Sequence, residues 1–244
     1  MKVKTVLALS LLLLTAALFV SCGGKGNAGP SGADGGYVMT FQTGAQPYAS
    51  YAGTADTRIA NGVYTNGNVG GGQSLYIGSA ATLLNLRFLV KFDLSGVVPD
   101  TVTVSKAYLT LYTSTAAYGN PSVAAFRVSS PWDQGTQTSY LNTPDGATWV
   151  SSTATTLWTN NGGDFSTPAV SDTVTVPLPL NEACTLSLDT SMVKSWITTP
   201  STNYGVIIIG AQEGINADNY SAFYTSELTT SPLYRPKLTV YLKP

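Results

Sequence analysis

The chain has 244 residues, with 12 basic residues, 13 acidic residues and no histidine. The lack of imidazole excludes Ser-His-Asp and Cys-His nucleophilic catalysis and histidine-ligated metal centres. Charged residues make up only 10% of the chain and form no basic run, which argues against nucleic acid as a partner.

Lys2 and Lys4 precede an apolar run, Val6–Val20, that is too short for a spanning helix and has the layout of a secretory leader. The run ends in Phe19-Val20-Ser21-Cys22, which resembles a bacterial lipobox. The expectation is a lipoprotein signal peptide over 1–21, lipidation at Cys22 and a location in the bacterial cell envelope, at the outer membrane or cell surface. The membrane is then met through the lipid anchor only. A Gly-rich tether follows over 22–36, where glycine recurs every third residue from Gly26 to Gly35. With Cys22 lipidated, Cys184 has no partner for an intrachain disulfide, so stability rests on the core. Residues 37–244 are long enough to supply one as a single, monomeric domain.

Within the domain, Tyr37–Phe41 is a short β-prone run, and a strand is expected near Thr57–Ile59. Ala60–Gln73 is a Gly/Asn-rich loop, and Ser74–Gly78 is a strand with Leu75 and Ile77 on one face. Arg87–Ser95 alternates more strongly. Phe88, Val90, Phe92 and Leu94 fall on one face, and Arg87, Leu89, Lys91 and Asp93 on the other. The first face reads as core; the second reads as solvated or as a site. Ser105–Thr113 and Val123–Ser129 repeat the alternation. Pro131–Pro168 is long and polar but too aromatic for disorder. After a strand over Val174–Leu178, the segment behind Leu186–Leu188 predicts one helix. Asp189 or Thr190 caps it, Val193, Trp196 and Ile197 share a face, and Pro200 ends it. Gly205–Ile209 is continuously apolar and hence a central strand; Ser221–Ser226 and Lys237–Tyr241 close the chain. Short strands, frequent turns and one short helix predict an all-β antiparallel sandwich with a single core.

The order of several motifs resembles the DNRLRE domain. They are ADTRI (Ala55–Ile59), SLYIG (Ser74–Gly78), RFLVKFDLS (Arg87–Ser95) and SKAYLTLY (Ser105–Tyr112), then PWDQGTQ (Pro131–Gln137), GATW (Gly146–Trp149), VKSWI (Val193–Ile197), NYGVII (Asn203–Ile208), FYTSE (Phe223–Glu227) and RPKLTVYL (Arg235–Leu242). The resemblance implies a jelly-roll-like β-sandwich of exported proteins. Part of that family is classed with family-96 carbohydrate-binding modules, for which alginate is a type of ligand. It therefore implies polysaccharide as the partner and a binding role without catalysis.

Sugar recognition needs aromatic faces for ring C–H groups and cations for acidic sugars. Arg58, Arg87 and Lys91 sit on outward strand positions and are read as one cationic patch, an anionic-glycan site. The competing and preferred reading is a structural network in which Arg87 and Lys91 pair with Asp93, Asp56 or Glu227. Trp158, in TLWTNNGGDF, is the foremost candidate for an exposed sugar platform, followed by Tyr140 and Tyr118; Trp132, Trp149 and Trp196 are expected to pack. Asp56 and Asp93 are candidates for a structural calcium, because a hard cation takes oxygen ligands. Asp133, Asp145 and Asp164 are the carboxylates of an enzymatic alternative, a polysaccharide hydrolase or lyase. A structural or adhesive surface lipoprotein that meets protein or envelope is the other alternative.

Overall fold

A computed structural model describes residues 35–140 and 144–244. The leader, Cys22 and the tether up to residue 34 lie outside the described residues. Twelve strands and one α-helix follow in order. They are β1 (Tyr37–Phe41), β2 (Thr54–Ala60), β3 (Ser74–Ala80), β4 (Leu84–Phe92), β5 (Thr103–Tyr112), β6 (Ser122–Val128), β7 (Phe165–Ser166), β8 (Val174–Thr175), β9 (Ala183–Ser187), α1 (Thr190–Thr198), β10 (Val206–Gly210), β11 (Asn219–Tyr224) and β12 (Lys237–Lys243). They form a four-stranded sheet, β1-β12-β5-β9, and an eight-stranded sheet, β11-β3-β4-β10-β6-β7, in which β2 also pairs with β4 and β8 with β6. The named pairings are antiparallel. The fold is the expected all-β sandwich.

The two sheets meet through their alternating apolar faces. Phe88, Val90 and Phe92 of β4, with Leu94 just beyond it, pack in one buried cluster with Ala107, Leu109 and Leu111 of β5 and Leu238, Val240 and Leu242 of β12. Each large side chain buried in this way contributes about 1.5–3 kcal/mol. Helix α1 lies against β5 and adds Met192, Val193, Trp196 and Ile197 to the same cluster. Its cap is Asp189, whose carboxylate accepts the Met192 N–H at 2.7 Å.

A single core does not describe the molecule. The outer face of the large sheet is also covered. Ile59, Leu89, Val128, Ile207 and Ile209 pack there against Trp132, Ala147 and Trp158 from the long segment after β6. The reason lies in β10. Its run VIIIG alternates between the two clusters, with Val206 and Ile208 in the main core and Ile207 and Ile209 in the outer one. A continuously apolar strand needs apolar cover on both faces. The segment over 131–168 supplies that cover with little regular structure of its own. Buried Asn68 helps to fix it, donating to the carbonyls of Gln134 at 2.9 Å and Ala147 at 2.8 Å. The face carrying Arg87, Leu89 and Lys91 is thus roofed, not solvated.

Candidate functional site

The register of β2 on β4 decides which charges can act together. Arg58 stands opposite Phe88, Asp56 opposite Val90, and Ile59 opposite Arg87. Cross-strand partners project to the same side of a sheet. Arg58 and Asp56 therefore leave on the inner side, and Arg87 and Lys91 on the outer side. The expected patch of Arg58, Arg87 and Lys91 is split by the sheet, and the three cations form no common surface.

On the outer side, both cations are structural. Arg87 donates from Nε and Nη2 to the two carboxylate oxygens of Glu213, at 2.8 and 2.7 Å, and from Nη1 to the Gly162 carbonyl at 2.6 Å. Its guanidinium carbon lies 4.7 Å from the Trp149 ring centroid and 5.4 Å from that of Phe165. Gly162 is glycine for a reason: its φ is +92°, and a Cβ there would stand 2.6 Å from Arg87 Nη1. Lys91 lies over the Trp132 ring at 4.5 Å and donates to the Trp132 carbonyl at 2.8 Å. Burial lowers its pKa, and Asp133 opposes that shift. The expected partners Asp93, Asp56 and Glu227 are not the ones used; Glu213 is the carboxylate that Arg87 takes.

Trp158 belongs to this outer layer as well. It is 5% exposed, and its indole N–H donates to the Thr148 carbonyl at 2.9 Å. It is a packing residue and no exposed platform; its polar neighbours in sequence hid a ring that tucks beneath the layer.

Asp56 and Asp93 do not converge on an ion. Asp56 is fully buried on the inner side; one oxygen accepts the Ser226 N–H at 2.8 Å and the other has no partner. Burial raises its pKa to about 7, against the weaker lowering effect of the Ser226 hydrogen bonds. Asp93 lies exposed beyond the end of β4, and its carboxylate accepts from the N–H and hydroxyl of Ser95. No group of three or more metal-ligating side chains forms among the described residues. These two aspartates do not fit a shared calcium site.

The carboxylates of the enzymatic alternative organise loops. Burial pushes Asp164 up, but hydrogen bonds from the N–H groups of Thr159 and Asn160 and from Ser130 outweigh it and hold the carboxyl below its ordinary range. Asp145 behaves likewise: hydrogen bonds from Thr136 outweigh the effect of burial. Asp133 ties the layer through its backbone, to Ser152 and Ala147. A general acid needs a raised carboxyl pKa, and Asp145 and Asp164 are shifted the other way.

Arg58 opens into a cleft of about 310 Å³ lined by Tyr64, Tyr76, Tyr140 and Tyr220, with Ala80, Leu84 and Leu86. Its guanidinium carbon is 4.6 Å from the Tyr140 centroid and 5.8 Å from that of Tyr76. Tyr140 packs on Tyr64 at 4.5 Å. Tyr76 meets Tyr220 edge-on at 5.6 Å, and Tyr118 stacks on Tyr220 at 4.8 Å with 27° between planes. Local sequence explains each position. Tyr76 alternates outward between buried Leu75 and Ile77 on β3. Tyr220 lies opposite Gly78 on the neighbouring β11. The Gly/Asn loop lets the backbone run close beneath Tyr140: a Cβ on Gly67 would lie 2.5 Å from its ring.

Arg58 is only 6% exposed, yet its Nε has no hydrogen-bond partner, and no ion pair to it is seen among the described residues. The Tyr140 hydroxyl is likewise buried without a partner. Burial lowers the Arg58 pKa to about 10, against a raising effect of Tyr64 and Tyr76, which still leaves the side chain cationic at neutral pH. A buried unpaired cation is costly. Here it stands among aromatic rings, with a donor that no acceptor among the described residues takes. The structure thus brings two expected residues, Arg58 and Tyr140, into one cleft and places a third, Tyr118, at its outer end. Tyr64, Tyr76 and Tyr220 were not singled out in the sequence; the outward alternation of Tyr76 in SLYIG was the available signal.

Among curated proteins, no match to the chain was found. A family model does match it, over residues 47–203, a span that includes Arg58, Tyr64, Tyr76, Tyr118 and Tyr140 and stops before β10. The chain belongs to carbohydrate-binding module family 96.

Proposed function

We propose that the protein is a non-catalytic binding module that holds polysaccharide, acidic polysaccharide foremost, in the tyrosine-walled cleft around Arg58. The observation that carries this reading is the buried, unpaired guanidinium inside a cleft of tyrosine rings. An acidic sugar offers a carboxylate that accepts from Arg58 and from the Tyr140 hydroxyl. The flanking rings take the apolar faces of the sugars. The carbohydrate-binding family supports the ligand class, and the leader and Cys22 support export and lipid anchoring in the bacterial envelope. In this reading the domain acts as a monomer at the end of its tether and keeps matrix or nutrient polysaccharide close to the cell.

The test is affinity electrophoresis of the folded domain in gels that contain acidic or neutral polysaccharides. Retardation by a polyuronate, lost in Arg58→Met, is the expected result. A domain that no polysaccharide retards, acidic or neutral, would remove the reading.

A further inference from the structure

The rings of the site form a row that is longer than the cleft. Tyr64 and Tyr140 make one pair, Tyr76 and Tyr220 another, and Arg58 links the two. Tyr118 lies outside the cleft lining and continues the row through its stack on Tyr220. It is 56% exposed, whereas Arg58 between the two pairs is buried. An exposed loop tyrosine is ordinarily free to turn. This one is held: its N–H donates to the Tyr220 carbonyl at 2.7 Å, and the Tyr220 N–H donates back at 3.1 Å. The Asn219 side chain accepts the Asn120 N–H at 2.9 Å and fixes the same loop on β11. A ring whose backbone is fixed and whose face already rests on a neighbouring ring binds with less loss of freedom than one on a free loop.

We infer that the site takes more than one sugar of an acidic polysaccharide: one uronate carboxylate sits on Arg58, and the chain leaves the cleft over the stacked pair Tyr220 and Tyr118, which forms an outer subsite. The inference rests on the proposed function of the cleft. It adds the path of the chain and the residue that reads chain length. A longer chain gains one more sugar contact at Tyr118 than a short one that ends inside the cleft.

The test is calorimetric titration of the domain with linear uronate oligomers, from monomer to hexamer, prepared from pectate and from alginate. The wild type and Tyr118→Ala are compared, with circular dichroism as the check of folding. Affinity is expected to rise about tenfold or more from dimer to hexamer. Tyr118→Ala is expected to lose about tenfold for the hexamer and to leave the dimer unchanged. Equal affinity for short and long oligomers, or an unchanged hexamer affinity in Tyr118→Ala, would overturn the inference and leave the cleft as a binding site. No binding at any length, with the polymers also inert, would remove both.

Discussion

Arg58 and Arg87 are diagonal neighbours on paired strands and carry the same group, yet they leave on opposite faces and their surroundings are opposite. Arg87 has a bidentate carboxylate, a backbone carbonyl and two aromatic rings around it. Arg58 has rings but no carboxylate among the described residues, and its Nε has no partner. A satisfied buried cation holds the fold that satisfies it. An unsatisfied one lining an open cleft has only ring contacts to stabilise it until something from outside supplies an acceptor. The outer layer is therefore a structural region and the inner cleft the region to which the proposed function assigns binding, although both are built from aromatic rings around a cation.

The largest expected effect lies in the outer layer. Trp132 is fully buried there and its indole donates to the Tyr204 carbonyl at 2.7 Å. Trp132→Ala should cost about 3–5 kcal/mol of stability, read as a lower urea midpoint, while polysaccharide affinity per folded molecule stays the same. An unchanged midpoint would mean that the layer is not a core.

The buried Asp56 sharpens the inner side through pH. Its carboxyl titrates near 4 when unfolded and at about 7 when folded, so the folded state holds the proton more tightly. Its contribution to stability is fully present below the unfolded value and is lost as pH rises through about 7. The loss should be on the order of 3 kcal/mol between pH 4 and pH 8. Asp56→Asn should flatten that slope, measured as the urea midpoint against pH; a variant with the wild-type slope would show that another group titrates.

Smaller effects separate the two outer cations. Arg87→Met leaves Glu213 without its partner and should cost about 2 kcal/mol, allowing for the partial exposure of the pair. Lys91→Met gives up one carbonyl hydrogen bond and one ring contact and should stay within about 1 kcal/mol. If both variants lost polysaccharide retardation while remaining folded, the division between the two regions would fail.

Much of this was legible in the sequence, and the parts that were not have physical reasons. The alternation of Phe88, Val90, Phe92 and Leu94 marked the core face, and Asp189, Trp196 and Pro200 marked the helix. The face of Arg58 was misread because one residue of register flips every side chain of a strand. In ADTRIA the apolar Ile59 points to the outer cluster beside Arg87, which leaves Arg58 on the other side of the strand. The outer layer lacks a period to read, since much of its bonding runs through turns and side chains such as Asn68 and Asp164. The cleft draws its tyrosines from β3, β11 and two loops, and no spacing along the chain connects them. The apolar run of β10 carried the missing clue, because a strand with two apolar faces implies two covers.

The account rests on Arg58 being the unpaired group that a ligand completes. The most direct test is the affinity of Arg58→Met for a polyuronate, measured beside its urea midpoint. The account predicts a folded protein whose stability lies within about 1 kcal/mol of wild type, because the lost ring contacts offset the relief of an unpaired buried cation, and an affinity lower by at least about tenfold. A folded Arg58→Met that binds as tightly as wild type would contradict it.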